Sequence, residues 1–522
     1  RAAGIQIGGF LQLPKAKLRG AGGIALILDG ARIIAGVLAN GCEADGEVRV
    51  PQVRVDGQVE LVEAKLRNGN GNALILHGAE IAGAVLANRC EVDGALWGPH
   101  AHIGGQVELV EAKLRNGNGN ALILDSAEIK RSLIASCFEV DGVIWAPRAH
   151  IGGVLDLREA KLRNADGNAL VLDGAHIAGG MFANGCEADG TLRAMRAHIG
   201  GALELNEAKL RNGNGQALLL DGAQIRGDVL AIGCEAHGEF SAVSVDISGG
   251  LALSRAKLRN GDDNALKLDA SSMRLLKIQD VDVEGTVRLY KTEIGNLVTD
   301  ANPPAPLVAT GWQVSDVDGP LRSNWAAARR WLGKTDESSA QPLHALAAVY
   351  ERNGDPVGAR RLRFAAATKV TRQSRIPTRI LRSLYGALVG HGYYPLLAGF
   401  WLAIVVLVAT IIVAANRADF VPTNRDAAAK AALAYAEQTH RSVPQRITAQ
   451  ESCDLRLDYP CLNPFTYTMS AVAPNFGNMT SDWAIPSDAT NWLTIALPLL
   501  KLTAWALTAL LAAGVTGILR KT

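Results

Sequence analysis

Small or apolar residues alternate with polar residues along most of the first 300 positions of the chain. One stretch places Ala79, Ile81, Gly83, Val85 and Ala87 at every second position. Strands with one buried face show this period of two, whereas a helix buries every third or fourth residue. Each glycine inside a helix would also cost about 1 kcal/mol relative to alanine. The alternation therefore predicts β-strands.

The strands belong to a long internal repeat. The tetrad Ala-Lys-Leu-Arg recurs every 48 residues, beginning at Ala16, Ala64, Ala112, Ala160, Ala208 and Ala256. Each copy holds four units of 11 residues and a four-residue insertion in an Asn-Gly-rich run such as 116–120. A single unit cannot bury its apolar face, so neighbouring units must stack. The pattern predicts a mainly β fold, a right-handed β-solenoid with coils of 22 and 26 residues and about twelve coils.

Outward residues that are 22 or 26 positions apart alternate in charge. Opposite charges on neighbouring strands stabilise a sheet by roughly 0.2–1 kcal/mol per pair, which supports this stacking register. Because each lysine has an acidic neighbour, we expect no binding of nucleic acid, which requires uncompensated positive charge. The predicted structural charge ladder consists of Glu43, Lys65, Glu91, Lys113, Glu139, Lys161, Glu187 and Lys209.

Two further outward columns could carry function. The first, the apolar column, predicts a partner surface, although a local bulge or a covering loop would bury it. The apolar column consists of Ile75, Trp97, Ile123, Trp145 and Val171. The second, the histidine column, favours a solvated polar face, with a metal site or a pH-sensitive patch as alternatives. The histidine column consists of His150, His176 and His198.

The pattern changes after residue 300. The predicted organisation is a β-solenoid at 1–300, a linker and solenoid cap at 301–340, and a helical hairpin with a basic juxtamembrane segment at 341–385. Transmembrane helices follow at 396–415 and 492–519, separated by an extracytoplasmic loop at 416–491. The chain begins at Arg1 inside the repeat pattern, so we expect the natural start and any targeting signal to lie upstream.

Charge predicts the orientation of these two helices. Residues 360–382 contain eight basic residues and no acidic one, and Arg520 and Lys521 follow the second helix. Basic segments remain on the cytoplasmic side, which places the solenoid and the C-terminus in the cytoplasm of a cell-membrane protein and 416–491 outside. The spacing of Cys453 and Cys461 permits a disulfide in an oxidising compartment, with two free thiols as the alternative.

The chain resembles a family of actinobacterial membrane proteins with an N-terminal pentapeptide-repeat-like β-solenoid and a C-terminal transmembrane pair. The resemblance rests on the Ala-x-Ile-x-Gly-x-Val-x-Leu units, on the run from Gln341 to Arg352, on Ala359-Arg360-Arg361, and on the segment from Gly390 to Pro395. It covers nearly the whole chain. Relatives are often labelled membrane-associated oxidoreductases, which implies redox activity but defines no catalytic residue.

Composition and motifs favour a non-enzymatic role. The net charge is +2, and seven cysteines in 522 residues do not form a disulfide scaffold. The sequence contains no Gly-x-Gly-x-x-Gly between a strand and a helix, no Cys-x-x-Cys and no haem motif, so we expect no cofactor, no catalytic residue and no metal. The favoured function is a membrane-anchored cytoplasmic scaffold that presents a rigid rod to a protein partner or to itself. A membrane-associated oxidoreductase and a subunit of an oligomeric channel or transporter are the alternatives.

Overall fold

The computed structural model of the chain describes residues 2–334, 339–440, 446–472, 481–486 and 492–516. The chain divides into two compact units, Arg1–Leu362 and Arg363–Thr522. The first unit holds the 48-residue repeats, and the second holds both candidate membrane helices.

The first unit is a β-solenoid of about 14 turns built from parallel strands, which confirms the predicted fold class. In the described residues, thirteen strands form one sheet and twenty-four mostly shorter strands form a second sheet. The register is that of the repeat, because Glu91 pairs with Lys65 on one neighbouring strand and with Lys113 on the other.

The bounds of the strands repeat along the chain. The thirteen-stranded sheet consists of Lys17–Ile27, Glu43–Arg49, Lys65–Ile75, Glu91–Trp97, Lys113–Ile123, Glu139–Trp145, Lys161–Val171, Glu187–Arg193, Lys209–Leu219, Glu235–Ser241, Lys257–Lys267, Asp282–Arg288 and Leu307–Val308. The other sheet consists of Gln6–Ile7, Phe10–Gln12, Arg32–Ile33, Gly36–Leu38, Arg54–Val55, Gln58–Glu60, Glu80–Ile81, Val85–Leu86, His102–Ile103, Val107–Glu108, Glu128–Ile129, Leu133–Ile134, His150–Ile151, Leu155–Asp156, His176–Ile177, Met181–Phe182, His198–Ile199, Leu203–Glu204, Gln224–Ile225, Val229–Leu230, Asp246–Ala252, Ser272–Ile278, Glu293–Thr299 and Gln313–Asp318.

Long strands alternate between 11 and 7 residues because the Asn-Gly insertion falls in every second one. In the pairing of Lys113–Ile123 with Glu139–Trp145, the register shifts between Arg115 and Asn120, so the insertion forms a bulge. Gly142 of the shorter strand lies against this bulge with φ +125°, and a Cβ there would lie 2.6 Å from the carbonyl oxygen of Gly119. Glycine is required at this corner.

The inward side chains form a continuous apolar core. Ile81, Leu114, Ile151 and Phe138 are buried, as the alternation predicts. The solenoid also continues beyond the expected twelve coils and beyond residue 300, because Gln313–Asp318 still pairs with Glu293–Thr299. The tetrad, which occurs once in every two coils, is lost after Arg259, but apolar side chains still alternate there and stack as before.

Helices that follow the last coil cover the C-terminal end of the solenoid. The indole rings of Trp312 and Trp331 stack with their centroids 5.9 Å apart, and Trp331 Nε1 donates to Thr299 Oγ1 at 3.2 Å. Gln341 donates to the carbonyl oxygen of Trp312 at 3.0 Å, and the Tyr350 hydroxyl donates to that of Leu321. The first helix of the segment 341–385, which was expected to form a hairpin, therefore caps the last coil of the solenoid. Solenoids require such a cap at the terminal repeat.

The helices of the described residues have the following bounds. The α-helices are Pro320–Ser323, Trp325–Trp331, Gln341–Arg352, Pro356–Gln373, Ile376–Val389, Leu396–Ala415, Arg425–Thr439, Ala449–Asp454, Pro464–Val472 and Leu493–Val515. Short 3-10 turns occupy Leu332–Lys334, Gly390–Gly392 and Arg417–Asp419. Two short strands, Val421–Pro422 and Trp483–Ala484, pair in antiparallel fashion.

In the second unit, Leu396–Ala415 (the first apolar helix) and Leu493–Val515 (the second apolar helix) are long and apolar enough to cross a membrane. They pack closely, since a Cβ at Gly399 would lie 3.6 Å from Leu511. The second helix was expected to extend to 519; residues 517–519, together with Arg520 and Lys521, lie outside the described residues.

The segment between the two apolar helices contains folded structure. Phe420, Tyr459 and Trp483 are buried in one cluster with Val413 of the first apolar helix and Leu497 of the second. The rings of Tyr459 and Trp483 meet edge to face at 5.3 Å. The described part of the predicted loop 416–491 therefore packs against the two apolar helices.

Candidate functional site

Side chains on the outside of the solenoid stand in columns, because parallel pairing in register places equivalent residues of successive coils side by side. The charge ladder is the clearest example. Glu187 pairs with Lys161 on one side and with Lys209 on the other. The predicted alternation of charge is present along the thirteen-stranded sheet.

The ladder forms ion pairs at the protein surface. Lys209 Nζ lies 2.8 Å from Glu187 Oε1, and Lys257 Nζ lies 2.7 Å from Glu235 Oε1. The hydrogen bond from Lys209 holds the pKa of the Glu187 carboxyl below its usual value. The basic charges of this face are therefore compensated by acidic neighbours.

The apolar column has the predicted register but not the predicted exposure. Trp97 pairs with Ile75 and Ile123, and Trp145 pairs with Ile123 and Val171. Ile75 is only 8% exposed and Val171 only 2%, whereas Trp145 is 37% exposed. The prediction of five exposed members in succession is therefore wrong, and Trp145 is the most exposed member of the column.

Neighbouring residues reduce the exposure of this column. The imidazole of His77, which lies two residues beyond Ile75, stacks on the Trp97 indole with the ring centroids 5.3 Å apart. His100 meets His77 edge to face at 5.8 Å. His77 and His100, which lie in the turns after the strands of Ile75 and Trp97, thus partly cover the Trp97 ring.

The histidine column is continuous on the twenty-four-stranded sheet. His176 pairs with His150 and His198, with ring centroids 5.8 and 6.1 Å apart and the rings edge to face. Burial first, and then the charges of the two neighbouring histidines, lower the pKa of His176. Within the described residues no group of three His, Cys, Asp or Glu side chains is arranged to hold a metal ion, so the metal alternative gains no support.

A shallow depression of about 450 Å³ lies on the same sheet, nearer the start of the solenoid. Its rim carries Arg54, paired with Glu80 at 2.9 Å, and His102, which lies 3.6 Å from Glu128. A hydrogen bond from Lys130 lowers the pKa of Glu128. The sequence reasoning missed this depression. Its signal in the sequence is the pair of small residues Ala82 and Gly104, which lie two positions after the polar residues Glu80 and His102.

The Asn-Gly insertions have a structural explanation. In each of them an asparagine side chain donates to a backbone oxygen four residues later, as Asn116 does to Asn120 at 2.7 Å. The same bond joins Asn68 to Asn72 and Asn260 to Asn264, also at 2.7 Å. This side-chain hydrogen bond therefore explains why the insertions have the same sequence pattern in successive repeats.

The cysteines of the solenoid are mostly inaccessible. Cys90, Cys186 and Cys234 are buried, and burial raises the pKa of each thiol to about 12. Such thiols are unreactive at neutral pH. In the second unit, burial and a hydrogen bond with Cys461 raise the pKa of Cys453 to about 11, so the structure brings these two thiols together.

Models of known protein families yield no match to this chain, and curated proteins yield none either. The fold and the surface columns define the class of protein directly. It is a β-solenoid with a helical cap, followed by a helical unit with two helices that could cross a membrane.

Proposed function

We propose that the protein is a membrane-anchored scaffold whose solenoid presents a rigid surface to a protein partner or to a second copy of the chain. The observation that carries the proposal is the in-register stacking of about 14 turns, which holds equivalent side chains in straight columns. Each coil contacts its neighbours through backbone hydrogen bonds and a continuous core, so the columns cannot move independently. Repeated columns on a rigid support suit binding by surface complementarity.

The partner surface of this proposal centres on Trp145. Exposed tryptophan is favoured at protein interfaces because it offers a large apolar area with few rotatable bonds. Trp145 has an exposed side chain in a sheet whose other outward positions nearby are ion-paired, such as Lys161 with Glu139 at 3.7 Å. An apolar anchor surrounded by compensated charges corresponds to the apolar centre and polar rim of many interfaces.

Orientation and family membership are parts of the same proposal. The basic segment at 360–382 supports a cytoplasmic solenoid, with 416–491 on the opposite side of the membrane. Membership of the actinobacterial solenoid family rests on the residues named above. The redox activity with which relatives are labelled is the alternative that the following experiment distinguishes from a scaffold.

A photo-crosslinking amino acid placed at Trp145 in living cells tests the scaffold. We expect an adduct of defined mass, either twice the mass of the chain for self-association or larger by one partner. The matched control is the same amino acid at the exposed Arg255, on a turn of another face, which should give no such adduct. Equal crosslinking at both sites, or a stoichiometric flavin, haem or nicotinamide in the spectrum of the detergent-purified protein, would overturn the proposal.

A further inference from the structure

The helix Ile376–Val389, named here the interface helix, has one apolar side that the rest of its unit leaves uncovered. Ile376, Ile380, Leu381 and Leu384 are 75, 65, 69 and 56% exposed. Their spacing of four, one and three residues places them on one side of a helix. Exposed apolar side chains in such a group mark a surface that contacts something other than water.

The opposite side of the interface helix is basic. Arg375, Arg379 and Arg382 follow one another at spacings of four and three residues, and all three are exposed. Arg382 donates a hydrogen bond to Ser374 at 3.2 Å. The chain has no aspartate or glutamate from residue 356 to residue 418, so no acidic residue of this segment compensates the arginines.

Contacts within the second unit fix the end of the interface helix against the first apolar helix. Trp401 Nε1 donates to the carbonyl oxygen of Ala387 at 3.0 Å, and Val389 is fully buried. The ring of Phe364 packs against His391 and Tyr394, with centroids 5.8 and 5.6 Å apart. The interface helix is therefore held at a defined level along the first apolar helix.

That level matches the depth of a membrane interface. Trp401 lies five residues after Leu396, which corresponds to about 7.5 Å along a helix. Amphipathic helices that lie on a bilayer bury their apolar side by about 5–10 Å, and tryptophan is enriched at the same depth. The depth at which Trp401 holds the interface helix therefore agrees with the depth at which an exposed apolar side would enter the bilayer.

We propose that the interface helix lies in the plane of the membrane surface, with its apolar side in the outer acyl region and its arginines on anionic lipid headgroups. The inference rests on the proposed anchoring by the first apolar helix. The bilayer is the occupant because the interface helix contacts the first apolar helix, which could cross the membrane. Basic residues next to a membrane helix favour anionic over zwitterionic lipid.

Spin labels on the full chain in lipid nanodiscs test the depth of the interface helix. Replacing Cys137, Cys453 and Cys461 with serine leaves only the buried cysteines, so that single new cysteines can be labelled. We expect a label at Leu381 to collide with oxygen and to be protected from a water-soluble nickel complex. The matched label at Arg382, on the basic side of the same helix, should show the reverse.

A third label, at the exposed Leu407 in the middle of the first apolar helix, separates the inference from the proposed anchoring. If the Leu407 label were protected from the nickel complex but the Leu381 label were accessible to it, the membrane-surface placement of the interface helix would be overturned. The proposed anchoring by the first apolar helix would stand. A Leu381 label shielded from both reagents would show that protein covers the apolar side, and would also overturn it. Access of the nickel complex to the Leu407 label would contradict both the placement of the interface helix and the proposed anchoring.

Lipid retention tests the role of the arginines. Nanodiscs of phosphatidylcholine and phosphatidylglycerol are prepared with the wild-type chain, with R375Q/R379Q/R382Q, and with R196Q/R226Q/R255Q as a control in exposed arginines of the solenoid. Native mass spectrometry then counts the lipids retained by the protein. We expect the first variant to lower the ratio of retained phosphatidylglycerol to phosphatidylcholine by about 10-fold or more. An unchanged ratio would refute the preference for anionic lipid.

Discussion

Glu187 lies between two lysines of the charge ladder, Lys161 and Lys209. Changing Glu187 to Lys replaces two attractive neighbours with two repulsive ones on adjacent strands. We expect the free energy of unfolding to fall by about 1 kcal/mol, since these side chains are partly exposed and water screens their interaction. Denaturant unfolding of the detergent-purified protein, followed by circular dichroism, measures the change.

The control for the ladder is Glu207→Lys, which makes the same charge change at an exposed turn residue beside Gly233. We expect this variant to unfold within about 0.5 kcal/mol of the wild type, as do most surface substitutions. Equal destabilisation by the two variants would mean that net charge, rather than the ladder, governs the effect.

His176 predicts a pH dependence of stability. Burial and the neighbouring His150 and His198 lower the pKa of His176 in the folded protein, so the unfolded chain binds this proton more readily. Stability is therefore unaffected above the unfolded pKa, near 6.5, and decreases as the pH falls below that value towards the folded pKa.

Unfolding midpoints at pH 7.5 and pH 5.5 measure this effect. We expect the wild type to be less stable at the lower pH, and His176→Gln to lose less stability over the same interval. His237→Gln, in the other sheet, serves as the control and should follow the wild type. A loss in His176→Gln as large as in the wild type would assign the pH dependence to other groups.

At the residue scale, the sequence predicts which side chains are neighbours better than it predicts which are exposed. The pairing of Glu91 with Lys65 and Lys113 follows from the repeat length, because in-register stacking depends only on spacing. The burial of Val171 depends on side chains of adjacent columns, which alternation along one strand does not reveal. The depression beside His102 was missed for the same reason, since it arises from small residues on several coils.

At the scale of the strand, Gly142 carries a testable requirement. Its φ of +125° is unfavourable for any other residue, and a Cβ would lie 2.6 Å from the carbonyl oxygen of Gly119. We expect Gly142→Ala to destabilise the protein by about 1–2 kcal/mol or more. Thermal unfolding of the purified protein provides the measurement.

Gly98 provides the matched control for that substitution. A Cβ at Gly98 would meet no atom closer than 3.7 Å, and its φ lies outside the left-handed region. We expect Gly98→Ala to change the unfolding temperature little. If both alanine variants unfolded alike, the bulge would not impose the constraint that the geometry indicates.

The Ala-Lys-Leu-Arg tetrad does not predict the full number of coils. Counting the tetrad predicts about twelve coils, yet the solenoid has about 14 turns. The last coils are shorter, since Glu293 pairs with Gln313 only 20 positions later, and they lack the tetrad. Stacking requires an apolar inner side and free backbone groups, and both survive in these coils without the tetrad residues.

At the scale of the whole molecule, two exposed cysteines report on orientation. Cys137 belongs to the solenoid and Cys461 to the segment between the apolar helices. The proposed orientation places them on opposite sides of the membrane. In intact cells, after treatment with a membrane-impermeant reductant, an impermeant maleimide should label Cys461 and leave Cys137 unlabelled.

The same experiment tests the predicted disulfide. The thiols of Cys453 and Cys461 are free in the structure but are close enough for Cys461 to raise the pKa of Cys453. We expect labelling of Cys461 to depend on the reductant, and Cys137 to react only after permeabilisation. The double variant Cys453→Ser/Cys461→Ser, as the control, should abolish the external signal. Labelling of Cys137 in intact cells would reverse the proposed orientation.

The alternation of charge along the ladder constrains how such a gene can change in length. Removing the coil that carries Glu91 would bring Lys65 beside Lys113, whereas removing a full 48-residue unit would leave every acidic row beside a basic one. Duplications and deletions of two coils therefore cost less stability than those of one coil. Each such step changes the length of the solenoid by about 10 Å, so the length varies in increments of two coils.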